Sequence, residues 1–593
     1  MSLNWSLKEL YESFGSAEFK EDLKNTSSLI EEYNAWVSKI TSNYEDLLNK
    51  IENYIEKTSE LKNYFFKLGS FIELSLSVNT KNSEALKASD ILNQNLSNMA
   101  EANAKLDKWI GGIRHIDKLI SSSKVLKEYE FFLKEKIEMD KYVLSDKEEG
   151  VIAKMQNTGS TAWLKLKDSL ISNLQVEIEM DGEIKELPLT VVLTMAYDKD
   201  KKVRKKAYEA EIKSYKKVED GVAAALNAIK GEALTISDMR GYKSPLEMTL
   251  INSRMEEKTL NAMMTAMKEY LPSFRKYLRK KAELLGYENG LPFYELYAPV
   301  SEVDMEFDCE KGKAFVEDNF RTFSKHLGDF ARRAYENEWI DFMPKEGKVG
   351  GGFCENLHFI GESRILLNYG NSFNDVVTLA HELGHGFHGE CLGKEKVLNS
   401  DYPMPIAETA STFCETIVKK AGIKRGNPEE AFSILETEIS GCTQVIVDIY
   451  SRFLFESEVF ERRRNGALSA DEIKEIMIKS QKEAYGDGLD EKYLHPYMWT
   501  WKPHYYYVDS NFYNFPYAFG LLFAKGLYAK YLNSGDKFTE DYEKLLAITG
   551  KNKLEDVAKV MEIDITNADF WRSSLKTIEE DIEEFIELSK KIK

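Results

Sequence analysis

Proline stops helices, and this chain has only 12 in 593 residues. Long amphipathic stretches run between them, so the sequence predicts a mostly helical protein. Near the N-terminus Tyr33, Val37, Ile40, Tyr44, Leu47, Ile51 and Tyr54 recur at alternating spacings of four and three. That is a helix–helix packing stripe, and it predicts the core of a helical hairpin; a coiled-coil dimer would call for a longer one. One segment departs from helix. Leu174, Val176, Ile178 and Met180 alternate with polar residues, Asp181-Gly182 follows, then come Ile184 and Leu187. This pattern predicts a two-strand hairpin with a tight turn. From about 198 the helices resume. The basic run from Asp198 to Tyr215 is interrupted by Glu209 and Glu211 and reads as a solvated helix face. Gly241-Tyr242 closes the next helix, and helical periodicity continues through Leu260 to Leu285. These changes of character divide the chain into an N-terminal helical region (1–110), a helical and hairpin segment completing the N-terminal lobe (111–190), and a larger part that runs from 191 to 593.

Charge narrows the partners. Lys+Arg 80 against Asp+Glu 99 gives a net charge of −19, a poor match for nucleic acid or an anionic membrane surface. The N-terminus lacks a basic region followed by an apolar core, and apolar runs such as Leu189 to Ala196 are too short to span a bilayer. Cys309, Cys354, Cys391, Cys414 and Cys442 form no CxxC pair. Reduced thiols in a cytoplasmic protein are the expectation.

The chemistry centres on His381-Glu382-Leu383-Gly384-His385. A proline-free apolar run from Phe373 leads straight into it and predicts a helix. Two histidines four apart then share one face, about 6 Å apart along the axis, and suit one tetrahedral zinc. Glu382 stands where a carboxylate can take a proton from a water activated by the metal. A catalytic zinc needs a third protein ligand. The HExxHxxGxxH pattern fails, since Cys391 stands six residues after His385. Downstream, Pro403-Met404-Pro405 ends a loop, and the stretch after it reads as a helix carrying Glu408, Ser411 and Glu415 near one face. Glu408 is therefore the expected third ligand, and Glu415 is expected behind it, orienting a ligand histidine. His388 shares the face of His385 and is expected to support or pack. The Gly347–Gly352 stretch lacks the phosphate-loop order and reads as a mobile loop that could border a substrate. Farther on, His504-Tyr505-Tyr506-Tyr507 and Phe512-Tyr513 to Tyr517 form an aromatic cluster. Its phenol and imidazole donors suit an oxyanion, and core packing would explain the same density.

At these residues the chain resembles the thimet oligopeptidase and oligoendopeptidase F family of zinc metallopeptidases, the oligoendopeptidase F branch most closely. The resemblance is carried by Leu366-Leu367-Asn368-Tyr369, by Thr378 through His388, by Glu408-x-x-Ser411-x-x-x-Glu415, and by Phe512-Tyr513 to Gly520 after His504. It implies a large two-lobed helical body enclosing a deep substrate channel, with a small hairpin or sheet near the active site. It implies one zinc per chain held by His381, His385 and Glu408, with Glu382 as general base. It further implies that Leu366 to Gly370 form an edge strand beside the substrate, making Leu367, Asn368, Tyr369 and Gly370 binding residues. His504, Tyr513 and Tyr517 would donate to substrate and transition state. The interval from His504 to Tyr513 is longer than the family pattern, so Tyr505, Tyr506 or Tyr507 stand as alternative donors.

The expected activity is zinc-dependent endopeptidase action on short peptides. One rival is a helical scaffold that binds peptides without cutting them, and the intact Glu382 speaks against it. The other is a dimetal helical bundle, which needs paired Glu-x-x-His motifs on facing helices; Glu382-x-x-His385 supplies one such pair.

Overall fold

Between Ile40 and Leu47 the chain breaks, so the N-terminal stripe is carried by two helices rather than one. The computed structural model describes residues 3–180, 182–301, 303, 305–534 and 537–592. Helix α1 (Ala17–Ile40) is capped by Ser16, and α2 (Leu47–Val78) starts after Asp46, which sits at φ 50°. The break is polar. Thr41 and Ser42 hydroxyls bond back to the carbonyls of Val37 and Lys39, and Asn43 accepts from Glu45 N, so side chains replace helical partners. Tyr33, Val37, Ile40, Ile51 and Tyr54 still share one buried cluster, with Trp109 and Leu133. The hairpin core is as expected; Tyr44, inside the break, is 48% exposed and leaves the stripe.

Strands β1 (Gln175–Met180) and β2 (Glu183–Pro188) pair antiparallel with Met180 opposite Glu183. Gly182 takes φ 83° in the two-residue turn, and Asp181 lies outside the described residues. The basic helix Lys201–Tyr215 has two characters. Its lysines at 201, 202, 206 and 213 are exposed as expected. Arg204 is not: it is buried against the equally buried Glu295, Nη2 to Oε2 2.5 Å. Helix α3 (Glu219–Arg240) ends on left-handed Gly241, and α4 (Glu257–Leu285) follows.

A second sheet has strands β3 (Ile340–Asp341), β4 (Phe353–Leu357) and β5 (Glu362–Leu366) in the order β3-β5-β4. This corrects one expectation. Leu366 ends the central strand, and Leu367 N and Tyr369 N donate to the carbonyls of Asp341 and Phe342. Leu366 itself is therefore central, paired with Asp341 and with Phe353, while from Leu367 to Tyr369 the backbone bonds run to one flank only. Residues 363–367 are all buried, as a strand covered on both faces should be. Among the described residues β3 and β4 are the two outer strands, and the N-terminal segment runs beside β3, with Phe342 N donating to Leu3 O.

The N-terminus is stitched to this sheet. Phe342 N donates to Leu3 O and Ser6 N to Glu338 O, each at 2.9 Å. Arg364 on β5 is fully buried and reaches Ser6 O and Glu9. Trp5, Leu10, Tyr11 and Phe71 pack in one cluster with Leu357 and Leu366.

The rest is helical: α5 (Phe373–Leu392), α6 (Met404–Arg425), α7 (Pro428–Thr443), α8 (Ile449–Arg463), α9 (Phe515–Leu532) and α10 (Ala568–Ser589). A single π turn, Gln444–Asp448, joins α7 to α8. Helix α6 packs along both α5 and α9, and α10 covers α4, α7 and α9. No described helix is long and apolar enough to cross a membrane, and all five cysteines are free thiols.

Candidate active site

Helix α5 opens on a capping box. Ser372 Oγ accepts from Asp375 N, and Asp375 accepts from Ser372 N. Helix α6 starts at Met404 with Pro405 in its first turn, where a missing N–H leaves no gap. Two glycines bring the backbones together. A Cβ on Gly384 of α5 would lie 2.6 Å from Ser411 Cα, and one on Gly520 of α9 would lie 2.7 Å from Glu408 Cβ. Helix α6 thus sits between α5 and α9 at distances that only glycine permits at these two crossings.

That packing brings His381, His385 and Glu408 together. Their nearest ligand atoms are 3.1 Å apart for the two Nε2 atoms, and 3.4 and 3.5 Å from these to Glu408 Oε2. Zinc at about 2.0–2.1 Å from each of three tetrahedral ligands would set them roughly 3.3 Å apart, so the donor set and spacing fit. His381 Nδ1 lies 2.5 Å from Glu415 Oε1. Burial pushes the Glu415 carboxyl up, but Lys419 and His381 outweigh it and hold it at about 2. An ionised Glu415 accepts the Nδ1 proton and leaves the Nε2 lone pair of His381 for a metal. Behind it the charges alternate: Lys419 Nζ bridges Glu415 (2.5 Å) and Glu438 (2.7 Å), and Lys525 also reaches Glu438 (2.5 Å).

Glu382 is 5% exposed, and its Oε2 has no hydrogen-bond partner. Burial raises its pKa, and His381 and His385 offset part of the rise. The glycine stretch lies on it: a Cβ on Gly352 would sit 3.2 Å from Glu382 Oε1. The expected mobility is not what the contacts describe. Thr80 N donates to Gly347 O, Val349 N to Ser77 O, and Asn368 Nδ2 to the carbonyls of Val349 and Gly351. The stretch is pinned because Asn368 uses its amide on it. Of the four expected binding residues, Leu367 and Tyr369 turn into the core at 1% exposure each, while Asn368 is half-buried and Gly370 exposed. His388 is fully buried, stacked on Tyr402 and bonded to Thr549, as a packing residue should be.

His504, Tyr507, Tyr513 and Tyr517 cluster. The His504 and Tyr513 rings stack at 5.0 Å, Tyr507 meets Tyr513 at 5.5 Å, and Tyr513 meets Tyr517 at 6.1 Å. Tyr513 precedes α9 in a turn, so the two tyrosines do not share a helix face as their spacing suggests. Burial raises the Tyr517 phenol pKa, with added contributions from Tyr513 and from the Glu408 charge; Tyr517 stands three residues before Gly520, which meets Glu408. Burial, then Arg452 and Lys502, lower His504 to about 4, so its imidazole is neutral at pH 7. Tyr505 and Tyr506 are 1% exposed, and the Tyr506 hydroxyl is taken by Trp499 O. They belong to the core, which leaves Tyr507 of the three alternatives. Sequence reasoning missed Lys419, although it stands four residues after Glu415 on α6 and i,i+4 spacing could have found it.

Comparison with known proteins fits this construction. The chain is 26% identical to an oligoendopeptidase F homolog of Lactococcus lactis, covering 82% of this chain and 79% of that one. It is 23% identical to the oligopeptidase PepF of Bacillus subtilis, covering 99% and 88%. A structure described as a candidate peptidase of Chlamydophila abortus superposes with a TM-score of 0.86 at 21% identity, covering 99% of each chain. Oligoendopeptidase F of Enterococcus faecium does so with 0.71 at 20%, covering 97% and 99%. An oligopeptidase F family profile matches residues 113–175. The profile of peptidase family M3 matches residues 194–577, taking in α5, α6 and the whole aromatic cluster, and the chain belongs to that family.

Proposed function

We propose that the protein is a zinc-dependent endopeptidase that hydrolyses short oligopeptides in the cytoplasm. The observation that carries the reading is the convergence of His381, His385 and Glu408 at zinc spacing beside a buried glutamate with one unpartnered oxygen. His381, His385 and Glu408 would hold the zinc, which would supply Lewis-acid polarisation of the scissile carbonyl and acidification of the attacking water. Glu382 accepts the proton of that water at its free Oε2 and passes it to the leaving amine; burial, by raising its pKa, suits it to both transfers. Tyr517, Tyr513 and neutral His504 donate hydrogen bonds to the oxygen where negative charge develops. Glu415 fixes the His381 ring, and the alternating Lys419–Glu438–Lys525 charges hold Glu415. The unpaired flank of β4 begins at Phe353, next to Gly352 and Glu382, and suits strand addition by an extended peptide.

Metal content measured together with cleavage of a quenched peptide library tests this. One zinc per chain and cleavage abolished by a chelator are expected. Metal-free protein that cuts as well as the loaded form would overturn it. A peptide-binding scaffold would hold peptides uncut. A dimetal bundle would hold two metals per chain, whereas among the described residues His381, His385 and Glu408 are the one group placed to hold one.

A further inference from the structure

A buried lysine on α3 has no part in the chemistry above, yet it ends on the loop that carries the tyrosines. Lys230 is 1% exposed and donates to Glu456 Oε1 (2.6 Å) and to Asn511 Oδ1 (2.9 Å). Asn511 is itself fully buried; its Nδ2 donates to Val508 O, and its carbonyl accepts from Thr249 Oγ1 at 2.7 Å. All the hydrogen-bonding groups of that side chain serve to fix one residue of a loop.

The next residue, Phe512, takes φ 53°. A bulky residue in the left-handed region is strained by about 1–3 kcal/mol and persists only where its surroundings dictate it. Here the Phe512 ring is gripped by Phe453 and Phe460 of α8, at 5.3 and 5.6 Å. Then comes Tyr513, and after it Asn514, whose Oδ1 accepts from Arg452 Nη1 at 3.1 Å. Arg452 is in turn held by Asp448 at 2.5 Å, and Asp448 is the last residue of the π turn before α8. Arg452 and Glu456 stand four apart, on one face of α8. Tyr513 is therefore bracketed: Asn511 on one side is tied to Lys230 and Glu456, and Asn514 on the other to Arg452. A guanidinium and an ammonium, both backed by buried carboxylates, set the two ends of a four-residue turn.

We infer that Lys230 and Arg452, through Asn511 and Asn514, are positioning residues that hold the donor Tyr513, in the turn leading into α9, in its reactive arrangement beside Tyr517. The inference rests on the donor reading given above. Neither cation touches the reacting atoms. Each fixes one end of a strained turn, so that the phenols are placed before substrate arrives rather than recruited by it.

The asparagines are the clean probes, because changing them leaves the Lys230–Glu456 and Arg452–Asp448 pairs intact. Asn511→Ala and Asn514→Ala are each made in the wild-type chain and in a Tyr513→Phe, Tyr517→Phe background, and kcat, KM, zinc content and thermal stability are measured. In the wild-type chain kcat should fall on the order of tenfold to a hundredfold, with KM within about twofold and zinc unchanged. In the Phe background the same change should cost less than about threefold, since the donors it placed are gone. Asn514→Asp keeps the acceptor for Arg452 and should retain kcat within about threefold, which decides the matter if an alanine variant fails to fold. Equal losses in both backgrounds, or no loss of kcat in the wild-type chain, overturn the positioning role. If the Tyr513→Phe, Tyr517→Phe protein itself keeps wild-type kcat, the donor reading fails, and this inference with it.

Discussion

Replacing Gly384 by alanine should loosen the metal site without touching a ligand. The added Cβ would stand 2.6 Å from Ser411 Cα and 2.7 Å from the Ala410 carbonyl oxygen, both backbone atoms of α6. Carbon–carbon contact is comfortable from about 3.5 Å, so the two helices must part by roughly 0.9 Å. His381 and His385 ride on α5 and Glu408 on α6, so the movement passes directly into the ligand triangle, whose distances tolerate only about ±0.2 Å. Zinc affinity should fall roughly 10–100-fold, the range for perturbing a ligand's support. Overpacking should also lower stability by about 1–3 kcal/mol, leaving a folded protein. Competition against a chromogenic chelator reads the affinity, and circular dichroism with thermal melting reads the fold. Gly441→Ala is the control: it is a helical glycine with nothing within 4 Å of the new Cβ, so zinc binding should not change. A folded Gly384→Ala protein with wild-type zinc affinity and turnover would refute the argument that close α5–α6 packing sets the ligand spacing.

Glu382→Gln should keep zinc and lose roughly 10² or more in kcat; near-normal turnover with metal bound counts against the base. Glu408→Ala should strip the metal, while Glu415→Ala should weaken it by about 10–100-fold; metal analysis in the reverse order would reassign the carboxylates. Tyr517→Phe or Tyr513→Phe should cost about 2.7–4 kcal/mol, seen in kcat rather than KM, with zinc content unchanged. If both keep wild-type kcat, Tyr507→Phe is the next test. On the pH axis, burial raises the Glu382 carboxyl despite the opposing histidines. The acid limb of kcat/KM should therefore lie above the ~4.3 of a free glutamate. His504→Gln should not move that limb, because burial already keeps His504 neutral down to about 4.

What could be read from the sequence was what repeats or sits close along the chain. The proline-free run to His385 and the Pro405 start gave α5 and α6, and their four-residue spacings gave the faces that meet. The alternation around Val176 and Ile178 gave the hairpin. The resemblance put Leu366 on an edge, and nothing local spoke against it, because its second partner strand, Ile340–Asp341, is two residues long and carries no strand pattern. The four-residue spacing of Tyr513 and Tyr517 would suit one helix face, but with Phe512 left-handed Tyr513 lies in the turn before α9. The ties from Lys230 to Asn511 and from Arg204 to Glu295 join residues far apart in the chain. No spacing rule reveals such a bond, since each partner alone looks like an ordinary polar residue in a helix or loop.

The stitching of the N-terminus onto the sheet bears on how the chain is made. Leu3 and Ser6 leave the ribosome well before the backbone groups they bond, which lie about 330 residues later. At about 5–20 residues per second, their partners follow on the order of 20–70 s behind. For that interval Trp5, Leu10, Tyr11 and Phe71 lack Leu357 and Leu366, the apolar surface that completes their cluster. The first helices can form and pack on one another as they emerge, but the sheet residues that close their cluster do not yet exist. Productive synthesis then depends on keeping an aromatic surface from finding the wrong neighbour, and a slower ribosome would lengthen the exposure in direct proportion.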